Sequence, residues 1–225
     1  MKTLILREDQ YKHIVDEMAY PMSFNMEVFK SLPSFNKRIL YCQQHLTRLS
    51  AGSSRIVYQI DNEKVLKLAK NQKGIAQNNA ENDGYLNSLD CFAKTYDSDE
   101  NNLWIEMELA KKAKKSDFKR LTGYGFDVFC YWVEYIAERY GRGGYRRYNE
   151  YRQLFDSEEW ENMLYNDVTI FSEIEDYMLN FQLNAYGDLQ RISSWGVVNR
   201  NGQEMLVLID YGLNDEIAKE FYHMK

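Results

Sequence analysis

An Asn-Gly pair, Asn201-Gly202, separates two apolar runs at 195–199 and 204–210, and no other short segment constrains the fold as tightly. Such a pair between apolar runs closes a β-hairpin, because its two central residues take the left-handed backbone that Asn and Gly tolerate best. An acid stands on either side of this hairpin: Asp188 before it and Asp210 at the end of its second run. A hairpin this late in the chain needs other elements to cover it, and the rest of the sequence supplies both strands and helices.

The segments 46–50, 55–60 and 64–70 are short and rich in β-branched or long apolar residues. The turn-like Ala51-Gly52-Ser53-Ser54 and Asp61-Asn62-Glu63 separate them, which predicts a three-stranded antiparallel meander. A polar helix of weak propensity is expected over 75–89, then strands at 92–97 and 102–109 joined by a turn. From Ser116 to Leu183 the pattern is helical. Phe129, Trp132, Val133, Ile136, Ala137 and Tyr140 share one face. A second helix is expected from Asp156, with Glu159 completing a capping box ahead of Trp160, Met163 and Leu164. A third opens near Asp167 and carries Ile170, Phe171, Ile174, Met178 and Phe181. Between the first two lies the basic and aromatic connector Arg142–Arg152, readable as a partner patch or as a solvated link. Ahead of the meander, Tyr11, Ile14, Val15 and Met18 mark a short helix, and Ser34 caps another. The expected organisation is a helical extension over 1–45, a sheet-bearing lobe over 46–110 and a mainly helical lobe over 111–225.

Composition narrows the function classes. A formal charge of −6 argues against generic nucleic-acid binding, although a few local donors can still hold a phosphate. Cys42, Cys91 and Cys130 are unevenly spaced, and His13, His45 and His223 are far apart, so neither a disulfide framework nor a zinc site is expected. The opening apolar run turns charged too soon for a signal peptide, and no run approaches the ~18 residues of a membrane span. A cytoplasmic protein without membrane contact is the expectation. With 18 Tyr and 11 Phe, the chain can fill a core and cover grooves, and a partner could dock on an aromatic surface.

Several motifs then fall in one order. Ser50-Ala51-Gly52-Ser53-Ser54-Arg55-Ile56-Val57 resembles the G-x-G-x-x-G-x-V phosphate loop of the protein-kinase superfamily, keeping the central glycine and the valine. Val65-Leu66-Lys67-Leu68-Ala69 is similar to the V-A-I-K strand, and Leu103–Ala110 to the strand that leads into the hinge. Tyr186-Gly187-Asp188-Leu189 resembles the H-G-D-L catalytic loop of the aminoglycoside-kinase-like branch, and Leu208-Ile209-Asp210-Tyr211-Gly212 the D-F-G element. The compact layout also looks similar to uncharacterised kinase-like proteins of tailed bacteriophages.

The resemblance implies an α+β, protein-kinase-like fold: an N-lobe antiparallel sheet plus one helix, and a reduced helical C-lobe with a β-hairpin. It also implies ATP and Mg²⁺ as cofactors. Gly52, Ser53, Ser54 and Val57 would then line the phosphates, and Lys67 would touch them, oriented by Glu81 with Asp83 as competitor. Main-chain groups from Glu108 to Ala110 would receive adenine, Asp188 would take the acceptor's proton, and Asp210 would hold the metal. Read without the resemblance, the serines form a turn, Lys67 is a strand lysine and Glu81 an exposed helix acid. Against that, Lys67 shares its strand face with Val65, where a core-covering strand keeps apolar residues.

The sequence departs from the family pattern at three places. The second metal position is Ser193, a poorer ligand than the usual Asn, with Gln190, Asn199 and Asn201 as possible substitutes. The phosphate loop lacks its outer glycines. Beyond Gly212 there is no expected room for an activation segment, and residues 1–45 are a candidate to replace the missing support. Three readings follow: a phosphotransferase acting on an unknown protein or small molecule, a pseudokinase or partner-binding module, or an unrelated α+β protein.

Overall fold

The computed structural model describes residues 23–140, 169–181 and 185–223. The helix expected around Tyr11–Met18, the connector Arg142–Arg152 and the helix from Asp156 lie outside the described residues.

Among the described residues two helices come first, α1 (Met26–Ser31) and α2 (Phe35–His45), each capped by the side chain of the preceding residue, Asn25 or Ser34. The meander follows as β1 (Thr47–Ala51), β2 (Arg55–Gln59) and β3 (Lys64–Ala69). The expected helix over 75–89 is two helices, α3 (Gln72–Glu81) and α4 (Gly84–Ser88). Asp83 divides them, because its carboxylate caps the N–H groups of Tyr85 and Leu86. The strands β4 (Thr95–Ser98) and β5 (Trp104–Glu108) complete a five-stranded antiparallel sheet in the order β1-β2-β3-β5-β4.

Register decides which side chains face the site. Val57 pairs with Lys67 and Lys67 with Ile105, so these three share one face of the sheet, as do Arg55 and Ala69. Ile56, Tyr58, Leu66, Leu68 and Trp104 alternate onto the other face. That outer face forms its own core with Phe29 of α1 and Cys42 of α2. The helices over 26–45 thus cover the back of the sheet. Phe29 is wholly buried, its ring edge-on to Trp104 at 5.7 Å. Phe29→Ala should therefore cost about 3–5 kcal/mol in urea unfolding. A loss below about 1 kcal/mol would mean that α1 adds nothing to the sheet's stability.

The inner face packs on the rest of the chain. A short strand, β6 (Lys111–Lys112), is followed by α5 (Lys115–Thr122), α6 (Phe126–Arg139), α7 (Thr169–Phe181), the hairpin β7 (Trp195–Arg200) with β8 (Gln203–Leu208), and α8 (Asp215–Tyr222). The hairpin turns at Asn201 (φ 55°) and Gly202 (φ 82°), as the Asn-Gly pair predicts. The apolar stripe of α6 is buried from Phe129 to Ala137, with Phe129 edge-on to Trp195 of the hairpin, while Tyr140 is left exposed. Val65, Ile105 and Met107 join this same core, which welds the sheet to the helices. The fold is the α+β class expected, an antiparallel sheet plus helix followed by a mainly helical part with a hairpin. Among the described residues no helix is long and apolar enough to cross a membrane.

Candidate functional site

The site is built around one carboxylate. Glu81, the last residue of α3, is 0 % exposed. Its Oε2 accepts from Lys67 Nζ at 2.7 Å and from Arg55 Nη1 at 2.6 Å. Its Oε1 accepts from Arg55 Nη2 at 3.0 Å and from the backbone N–H groups of Gly212 at 3.1 Å and Tyr211 at 3.3 Å. A buried charge demands this degree of satisfaction. Burial pushes the Glu81 carboxyl up, but Arg55 and Lys67 together outweigh it and hold the group below the usual carboxylate range. Burial pulls the Lys67 ammonium down, and the opposing pull of Glu81 does not restore it. Gly212 is required here, since a Cβ would stand 2.8 Å from the Gln77 carbonyl oxygen and 3.1 Å from Glu81 Oε1.

Asp210 ends the hairpin beside this cluster. Its Oδ1 accepts from Arg55 Nη2 at 2.8 Å, while the carboxylate as a whole is 55 % exposed. Lys67 Nζ also donates to the carbonyl of Ile209 at 2.7 Å, so the lysine, the helix acid and the hairpin end are locked together. Tyr211 fixes the turn from below, donating its hydroxyl to the carbonyls of Ala93 and Glu81, and Tyr177 of α7 donates to the Tyr211 carbonyl.

Asp188 closes a single turn, Tyr186–Asp188, and is 13 % exposed at its side chain. Burial raises its carboxyl and Asp210 raises it further, with Arg191 at 3.0 Å opposing both. Tyr186, standing where the motif has His, donates to Glu134 of α6 at 3.0 Å.

The glycine-bearing loop is tied through its carbonyls to the residues just ahead of α3. Lys70 Nζ donates to Gly52 O, Asn71 Nδ2 to Ser53 O, and the Lys70 N–H to Ser54 O. Ser54 Oγ donates to Gln77 at 2.6 Å. Gly74 permits this approach, because a Cβ there would lie 2.2 Å from Ser54 O. The Gly52 N–H closes the turn onto Arg55 O, and those of Ser53 and Ser54 bond no described residue. At the expected hinge, Glu108 N–H donates to Lys94 O and Leu109 N–H to Glu63 O, while the Glu108 carboxylate holds Arg200 at 2.6 Å. Of that stretch, the Ala110 N–H bonds no described residue.

The structure thus gathers Lys67, Glu81, Asp188 and Asp210 at one place, with Val57 across from Lys67. Ser193 is exposed, and its neighbour Ser194 accepts from the Ile209 N–H, one residue before Asp210. The other amides are engaged elsewhere: Gln190 donates to Cys130 O and Glu134, Asn199 accepts from Gly202 N–H, and Asn201 sits in the hairpin turn. A divalent ion does not fit the residues as they stand, because the inner Asp210 oxygen is spent on a guanidinium. Among the described residues no three acids, histidines or cysteines cluster as a metal site.

Arg55 is the participant that motif reading passed over. It occupies the third glycine position of the loop, on the strand face of Val57, and its partners Glu81 and Asp210 lie far along the chain. A separate cavity of about 390 Å³ lies between α7 and the hairpin, lined by Cys91, Ile170, Glu173 and Leu206 among others, and holds none of these residues.

No family model matches the sequence, and no curated protein matches it significantly. Among solved structures, the chain is similar to the streptomycin–ATP–APH(2″)-IIa ternary complex at 15% identity and a TM-score of 0.32. The match covers 93% of this chain and 71% of that one. At that score the likeness assigns no residue a role.

Proposed function

We propose that this chain is a kinase-like phosphotransferase that takes a nucleoside triphosphate such as ATP. In this reading Lys67 and the N–H groups of Ser53 and Ser54 hold the phosphates, Ala110 N–H receives the adenine edge, and Asp188 accepts the proton of an acceptor hydroxyl. Catalysis would come from positioning and charge stabilisation, which few residues can supply. The observation that carries the reading is the buried Lys67–Glu81 pair, whose carboxylate also takes the N–H groups of Tyr211 and Gly212. That single contact set aligns a sheet lysine, a helix acid and the turn bearing Asp210.

Thermal unfolding with and without ATP tests it. A ligand that binds only the folded form adds about 2.7 kcal/mol at a hundredfold excess over its Kd. The expected result is a rise in Tm that Lys67→Ala abolishes. No rise at millimolar ATP would remove the reading.

A second reading, a kinase-shaped binding module without catalysis, is favoured by the ion pair that Arg55 makes with Asp210. The exposed Tyr85, Tyr96, Tyr140 and Tyr222 would then be the first surface to alter in a search for a protein partner.

A further inference from the structure

We propose that Arg55 is the resident cation of this site, standing where a divalent ion would otherwise sit on Asp210, so that the chain binds a nucleoside triphosphate without metal. This rests on the nucleotide reading above. The Arg55 side chain is 9 % exposed, and its two terminal nitrogens make four hydrogen bonds: two to Glu81, one to Asp210 and one to Asn78 at 3.4 Å. All four terminal N–H groups are therefore used, in the planar fork geometry that suits a carboxylate and that a lysine cannot reproduce. Burial works against the charge, yet Glu81 and Asp210 hold it in place.

The arrangement opposes a metal at the inner oxygen of Asp210 by charge and by space. An ion approaching the inner oxygen of Asp210 meets a guanidinium already 2.8 Å from it. Swinging Arg55 away would strip Glu81 of two of its five donors and leave a buried carboxylate short of charge. The Arg55 backbone cannot retreat freely either, since β2 pairs Arg55 with Ala69 and its carbonyl closes the Gly52 turn.

What remains for phosphate is positive. Arg55 and Lys67 cancel Glu81 and Asp210, and Arg191 pairs with Asp188 at 3.0 Å. Lys67 keeps one of its three N–H donors after those to Glu81 and Ile209 O. Lys70 and Lys73 flank the loop through Gly52 O and Ser53 Oγ. A phosphate chain would therefore meet neutralised acids and two further ammonium groups, the electrostatic service a bound ion performs elsewhere.

The test compares the full chain with Arg55→Gly and Arg55→Lys. ATP binding is measured by calorimetry in EDTA and again in Mg²⁺, and Mn²⁺ alone is titrated by electron paramagnetic resonance. The wild type should bind ATP with the same affinity in both buffers, within about threefold, and should bind no Mn²⁺. Arg55→Gly should bind Mn²⁺ and need Mg²⁺ for ATP by about tenfold or more. Arg55→Lys, which keeps the charge, should stay independent of metal. Wild-type binding that gains about tenfold or more from Mg²⁺ would overturn the assignment and leave the nucleotide reading standing. No ATP binding in either buffer would remove both. Should Arg55→Gly fail to fold, the wild-type comparison decides alone.

Discussion

Glu81→Ala is expected to destabilise the protein by about 3–5 kcal/mol, because it strands Arg55 and Lys67 as buried charges without their partner. The two N–H groups of the Asp-Tyr-Gly turn lose their acceptor at the same time. Urea unfolding should show the midpoint falling at an unchanged slope. Acid adds a second signature. The folded Glu81 carboxyl lies below its ordinary value, so its contribution is complete above about pH 4.3 and drains away as pH falls through the folded pKa. In Glu81→Gln that part of the acid dependence should vanish. A loss under about 1 kcal/mol in the alanine variant would show that the two cations are satisfied without it.

Asp188→Asn should lower phosphotransfer by about 10²–10⁴-fold while ATP affinity and Tm hold, if the side chain receives the acceptor's proton. Because burial and Asp210 raise this carboxyl, the acid limb of the rate profile should fall above the ordinary aspartate value of about 3.9. Removing the opposing charge with Arg191→Ala should move that limb further up. Stopped-time assays across pH would measure both, and an unchanged rate in Asp188→Asn would leave the non-catalytic reading in possession.

Much of the fold was legible because it rests on local patterns. The Asn-Gly turn, the Ser34 cap and the stripe of α6 each belong to a few neighbouring residues. The break between α3 and α4 was missed for a related reason: an Asp at 83 reads as one more polar helix residue until its cap bonds are seen. The site was partly legible. Lys67 announced itself by sharing a strand face with Val65, and Asp188 and Asp210 by flanking the hairpin. Arg55 did not, because its meaning lies in contacts with residues 78, 81 and 210 that no spacing rule connects. Nor did sequence reveal that the Glu108 and Leu109 N–H groups are spent inside the protein. Each depends on where distant backbone segments cross. The outer core of Phe29, Cys42 and Trp104 was likewise invisible, since two modest helices gave no sign of which sheet face they would cover.

The span of chain that the central cluster draws together sets a timetable for the molecule's birth. Arg55 and Asp210 are 155 residues apart, and Tyr211 and Gly212 reach back 130 and 131 residues to Glu81. A ribosome adding about 5–20 residues per second needs roughly 8–31 s to travel from the first of these to the last. Once Glu108 has been added, every strand of the sheet and α3 are present with their cations and their acid, but the turn that seals them has not been made. Arg55 and Lys67 can already pair with Glu81, leaving an acid with empty acceptor positions that only the late segment fills. The nascent sheet is thus a waiting half, and the seal arrives with residues 210–212.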